Sequence, residues 1–123
     1  MPTAAIEIRC LYSREEELGL IHAVQAAMTE ALKVPHWTTS IRLFAHEPHR
    51  FMAPPGKSER YTLATIDCFI GRSVDTKRAL CQAIVHTLGQ CVTPADHPTV
   101  RARAAPGAHW ATRGCLPRPR ARP

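Results

Sequence analysis

The chain has 123 residues, 45% hydrophobic and 21% charged, a length that suits one domain with a modest core. It shows no basic leader ahead of an apolar stretch and no apolar run near the ~20 residues of a membrane helix, so it reads as a soluble cytoplasmic protein with no membrane partner. The net charge of +6 is local: residues 1–100 hold ten Lys/Arg and ten Asp/Glu, whereas Arg101, Arg103, Arg113, Arg118, Arg120 and Arg122 stand without a carboxylate, so the body gives no electrostatic reason to expect nucleic acid.

Met1-Pro2 stands directly before Thr3-Ala4-Ala5-Ile6-Glu7-Ile8-Arg9-Cys10, which reads as a strand. Removal of the initiator Met would leave Pro2 as a secondary amine at the root of a buried element. An α-amino group titrates near ~8, and an apolar pocket or a neighbouring cation favours its neutral form. Such an amine is a general base poised at neutral pH.

Ser13-Arg14-Glu15-Glu16 is a capping-box pattern and predicts a helix start. Leu18, Ile21, Val24, Met28 and Leu32 follow as one apolar stripe that ends near Val34-Pro35. Ser40–His46 reads as a strand, Phe51–Lys57 as a loop or bent edge, and Tyr61–Ile70 as the clearest strand. Gly71 turns the chain, and Ser73 caps a second helix marked by Leu80, Ile84, Val85 and Leu88 that stops at Gly89. Pro98–Ala104 is a weaker strand. Residues 106–123 are rich in Ala, Arg and Pro, have no core-forming period, and read as a poorly ordered tail.

Cys10, Cys68, Cys81, Cys91 and Cys115 are odd in number, widely spaced and without a C-x-x-C pair, the pattern of reduced thiols. His46-Glu47-Pro48-His49 falls one residue short of H-E-x-x-H, and Pro48 opposes the helix such a pair needs. No metal site is expected.

The order is β-α-β followed by β-α-β, and the halves superpose with a shift of sixty: Ile6 on Ile66, Ile8 on Cys68, Ser13 on Ser73, Leu20 on Leu80, Val24 on Ile84, Met28 on Leu88. Each half then supplies two parallel strands and a crossover helix. The expected fold is α/β (a two-layer α+β arrangement), with duplicated β-α-β units, about 1–48 and 60–105, forming a four-stranded sheet with two helices on one face. The other face stays uncovered, and strands such as Tyr61–Ile70 carry apolar residues in both alternations, so an oligomer is expected to cover it.

Met1-Pro2, Leu32-Lys33-Val34-Pro35-His36-Trp37, Ile41-Arg42-Leu43, His46-Glu47-Pro48-His49-Arg50-Phe51, Arg60-Tyr61-Thr62, Phe69-Ile70-Gly71-Arg72-Ser73 with Lys77, and His109-Trp110-Ala111-Thr112-Arg113-Gly114 together resemble the tautomerase superfamily. The resemblance implies an amino-terminal proline catalyst, no cofactor, a small 2-oxo acid substrate and a homotrimer. It also implies that Arg72 binds the substrate carboxylate, that Trp110 walls the pocket and that His46 hydrogen-bonds a carbonyl. Chemically, Arg72 stands between a strand and a helix, and a guanidinium there can grip a carboxylate with two hydrogen bonds and help keep Pro2 unprotonated. Members of the superfamily that add water pair the proline with a carboxylate and a second arginine. Thr38, Phe69 and Ile70 stand at those positions. The expected activity is therefore keto–enol tautomerisation by Pro2. The alternatives are a decarboxylase or hydratase that uses protonated Pro2, and a diverged, non-catalytic binding protein.

Overall fold

The computed structural model describes residues 2–9, 12–57, 60–69, 73–91 and 98–105. Its elements are β1 (Thr3–Arg9), α1 (Arg14–Leu32), a 3-10 turn at His36–Thr38, β2 (Ser40–His46), a second 3-10 turn at Pro48–Arg50, β3 (Thr62–Phe69), α2 (Val74–Gly89) and β4 (Thr99–Ala105). The strands form one mixed sheet in the order β2-β1-β3-β4, with β1 and β2 parallel, β3 and β4 parallel, and the two halves joined antiparallel through β1 and β3. This is the expected duplicated β-α-β arrangement, with both helices against one face of the sheet.

The reciprocal capping box forms as the sequence implies. Ser13 Oγ accepts from the Glu16 backbone N–H at 3.2 Å, and Glu16 Oε1 accepts from the Ser13 N–H at 3.0 Å. Glu16 also pairs with Arg60 at 2.6 Å. The Ser13 backbone hydrogen bond, with Arg60 adding to it, holds the Glu16 carboxyl below the usual carboxylate range. A depressed carboxylate contributes stability above its unfolded value and loses it as pH falls through the folded one. Glu16→Gln is therefore expected to flatten the loss of stability with falling pH below the ordinary carboxylate range, in urea melts taken across that window. Ser13→Ala is expected to cost about 1 kcal/mol at neutral pH, measured in the same way.

α1 ends at Lys33, which caps it in the left-handed conformation (φ 56°), and Pro35 follows. The loop after β2 closes on Pro54-Pro55-Gly56-Lys57, where the Lys57 N–H donates to the Pro54 carbonyl at 3.2 Å. Gly56 takes φ 87° there, the positive φ that the third position of a type II turn demands.

The core lies between helices and sheet. Ala4, Ile6 and Ile8 of β1 alternate inward with Ala64 and Ile66 of β3, and meet Leu20, Val24, Met28 and Leu32 of α1 and Leu80, Ile84 and Leu88 of α2. The apolar line of α1 differs from the expected stripe at its start. Leu18 is 46% exposed and Leu20 is buried, because two residues turn a helix by about 200° and the line through Val24, Met28 and Leu32 continues backward to Leu20.

The sixty-residue repeat is visible in the register. Ala4 pairs with Ile66 and Ala64 with Ile6, while Ala5 faces Thr65. Adding sixty to one partner and subtracting it from the other returns the same ladder, so a local two-fold axis passes between Ala5 and Thr65. Ile6 and Ile66 thereby each sit opposite an alanine, and the two halves interdigitate large against small.

The uncovered face is more polar than its sequence alternation suggests. Its cross-strand rows include Thr3 with Ser40, Asp67 and Arg103, and Ala5 with Arg42, Thr65 and Arg101. Arg103 binds Asp67 through two hydrogen bonds, at 2.8 and 3.1 Å, and this contact raises the Arg103 pKa further. Phe44 and Leu63 are the aromatic and aliphatic members of the next row, on either side of Glu7. Among the described residues, no helix is long and apolar enough to cross a membrane; Cys81 and Cys91 are free thiols, and Cys68 is buried.

Candidate active site

Strand direction decides what meets Pro2. β1 and β2 begin at one end of the sheet, and β3 and β4 finish there, since Thr3 lies between Ser40 and Asp67, and Phe69 lies beside Ala105. Pro2 is buried at this end, and its carbonyl accepts the Ser40 N–H at 3.3 Å. That bond extends the β1–β2 ladder by one residue and fixes the proline against β2. After Phe69 the chain runs on to Arg72, and after Ala105 to Trp110, so both segments depart from strand ends on the Pro2 side. Arg72 and Trp110 themselves, like the tail 106–123, lie outside the described residues. Ser73 is described, and its hydroxyl caps α2 by accepting the Thr76 N–H at 3.0 Å.

His46 is not brought to Pro2 within the chain. It pairs with Arg9 at the finish of the same parallel ladder that starts at Thr3 and Ser40. Six residues of strand, roughly 20 Å, separate the two ends. At its own end His46 Nε2 contacts Glu7 Oε1 at 3.0 Å, and its ring stacks edge-on to Phe51 at 5.5 Å.

The 3-10 turn His36–Thr38 leads into Ser40, the residue that bonds Pro2, and is a feature without apolar periodicity in the sequence. Thr38 Oγ1 donates to the Pro35 carbonyl at 2.7 Å and Thr39 Oγ1 to the His36 carbonyl at 2.8 Å. Both hydroxyls are thus spent on holding the turn. Trp37 rides on it, 76% exposed, with its ring edge-on to His36 at 5.3 Å.

The local two-fold axis gives Pro2 a counterpart at the opposite end of the sheet, Thr62, beside which lies Tyr12, the residue that the sixty-residue shift aligns with Arg72 in sequence. Thr62 is fully buried. The Tyr12 hydroxyl donates to the Arg60 carbonyl at 2.8 Å and lies 3.4 Å from Thr62 Oγ1. The Arg60 guanidinium covers the Tyr12 ring at 4.4 Å while reaching Glu16, and the Tyr61 hydroxyl bonds Thr99 Oγ1. At this end the hydroxyls of Tyr12 and Tyr61 are both engaged, and residue 62, inside the chain, has an amide nitrogen with no basic lone pair.

Elsewhere a groove of about 510 Å³ lies between α1 and α2, lined by Ala26, Ala27, Ala31, Ala79, Ala83 and His86 among others. It includes no residue of the Pro2 end. Among the described residues, no group of three or more His, Cys, Asp or Glu is placed to hold a metal ion.

Comparisons with known proteins agree with this architecture. A family model described as "Tautomerase enzyme" matches residues 39–113. Among curated proteins, no sequence matches the chain. Of solved structures, a malonate semialdehyde decarboxylase inhibited by 3-bromopropiolate is similar at a TM-score of 0.79 and 22% identity, over 89% of this chain and 87% of that one. A fused 4-OT solved as a symmetric trimer gives 0.80 and 17%, over 93% and 94%. A protein called N1, of the cis-3-chloroacrylic acid dehalogenase family, gives 0.80 and 19%, over 95% and 85%. At these identities the structural likenesses establish the fold.

Proposed function

The chain belongs to the tautomerase family, and on that premise we propose that it is a cofactor-free keto–enol isomerase of a small 2-oxo acid, with Pro2 as its base once Met1 is removed. The observation that carries the reading is the burial of Pro2 at the root of β1, with its carbonyl tied to Ser40. A secondary amine held there is shielded from water, which favours its neutral form. The nitrogen takes a proton from the enol hydroxyl, the electron pair moves to form the carbonyl, and the resulting ammonium returns the proton to carbon. One titrating group suffices for both transfers.

Arg72 is assigned the substrate carboxylate and the charge that develops on the enolate oxygen, and Trp110 a wall of the pocket. His46 has no part in the same chain's site, being a strand length away. The state of Thr38 supports isomerisation over water addition: its hydroxyl is committed to Pro35, and no carboxylate stands in its place to activate water. A homotrimer, the assembly in which the fused 4-OT neighbour was solved, would cover the open face of this sheet.

Ketonisation of phenylenolpyruvate and of 2-hydroxymuconate by wild type, Pro2→Ala and Arg72→Ala tests the assignment. Activity is expected to fall in both variants and, in wild type, to decline at low pH as the amine is protonated. Equal rates in all three proteins would remove the catalytic role. A rate that rises at low pH would instead favour the decarboxylase or hydratase reading, in which protonated Pro2 acts as the acid.

A further inference from the structure

Trp37 is the largest of the exposed apolar side chains among the described residues, and its exposure is built in. The turn beneath it is closed by two backbone hydrogen bonds, Thr38 N–H to Pro35 at 3.1 Å and Thr39 N–H to His36 at 3.2 Å. The two threonine hydroxyls bond the same two carbonyls, and Gln25 Nε2 reaches Thr39 Oγ1 at 3.5 Å. A backbone so fixed holds its indole outward at little further cost in conformational entropy. Three residues later Ser40 binds Pro2, so the chain's reach keeps the Trp37 backbone within roughly 12 Å of the proline. The stretch His36–Ser40 contains no lysine or arginine, and the cation on the neighbouring row, Arg103, is engaged by Asp67.

We infer that Trp37 is a specificity-determining wall of the Pro2 site and that it selects 2-oxo acids with an aromatic substituent over those with a second carboxylate. The inference rests on the proposed tautomerase reading and deepens it. With the carboxylate and the reacting carbons at the Pro2 end, the rest of the substrate extends toward the His36–Thr38 turn that leads into Ser40. There a rigid, electron-rich ring offers stacking to an aryl group, whereas a distal carboxylate meets no cation on the turn.

The test compares wild type, Trp37→Ala and Trp37→Phe in kcat/KM for phenylenolpyruvate and for 2-hydroxymuconate. Trp37→Ala is expected to lose about tenfold on phenylenolpyruvate, mainly through KM, and to stay within about twofold on the dicarboxylate. Trp37→Phe should recover most of the loss, and the pH profile should not move. Equal losses on both substrates, no loss on either, or a change in oligomer mass in Trp37→Ala would overturn the inference, the last by making the residue a subunit contact. Titration with phenylpyruvate, followed by tryptophan fluorescence, separates this claim from the catalytic one. Quenching that persists in Pro2→Ala and weakens in Trp37→Phe supports the wall even if turnover fails. Identical quenching in wild type and Trp37→Phe sinks it whatever happens to catalysis.

Discussion

Replacing Pro2 with alanine is expected to lower kcat/KM for phenylenolpyruvate ketonisation by roughly 100-fold, and inserting one alanine between Met1 and Pro2 by up to roughly 10,000-fold, the span a positioned acid–base group contributes. The two changes differ in what they leave at the nitrogen. After Met1 is removed, Pro2→Ala still ends in an amine, but one that has lost the pyrrolidine ring that fixes φ and with it the direction of the lone pair. The insertion keeps the ring and turns the nitrogen into an amide, with no basic pair at all. Both variants keep β1 and the Ser40 contact to residue 2, because that contact uses the carbonyl of Pro2 and not its nitrogen. Intact-mass measurement of each protein establishes the true N-terminus. If the inserted protein turned over as fast as wild type, Pro2 would have no chemical role.

Most of the frame was legible because the signals that specify it are local. Ser13 and Ser73 both cap helices through their hydroxyls, as a small polar residue before an apolar period implies. The repeat predicted that Leu20, Val24 and Met28 would be matched by Leu80, Ile84 and Leu88, and all six are buried. Leu18 misled because it opens a plausible three- and four-residue series, and only packing against the sheet picks out the line through Leu20. The site was legible to a different degree in each residue. Pro2 could be placed from its position ahead of β1. His46 was drawn toward it by resemblance, although the β-α-β order itself makes β1 and β2 parallel and so carries Ser40 to the Pro2 end and His46 to the other. Trp37 entered the sequence reading only within the Leu32–Trp37 stretch of the resemblance, with no role assigned to it: a three-residue 3-10 turn has no period to detect, and the role inferred for it depends on Ser40 bonding Pro2 across 38 residues of chain.

The same duplication makes a sharp prediction about stability. Leu80→Ala and Leu20→Ala are each expected to cost about 2–5 kcal/mol in urea unfolding, a large share of the roughly 5–15 kcal/mol that a domain of this kind possesses. Each residue is 1% exposed or less, so truncation removes fully buried methyl groups and opens a cavity between a helix and the sheet. Leu18→Ala, at 46% exposure on the outer side of α1, should change stability by no more than about 0.5 kcal/mol and serves as the control for helix propensity. The local two-fold axis relates Leu20 to Leu80, and both belong to one core cluster, so the double variant reports whether the halves share that core. A deficit smaller than the sum of the single costs means the two cavities merge and the helices settle toward the sheet together. A strictly additive loss means each β-α-β unit packs its own layer, and a cost below about 1 kcal/mol for either single change would show that its helix does not carry the core.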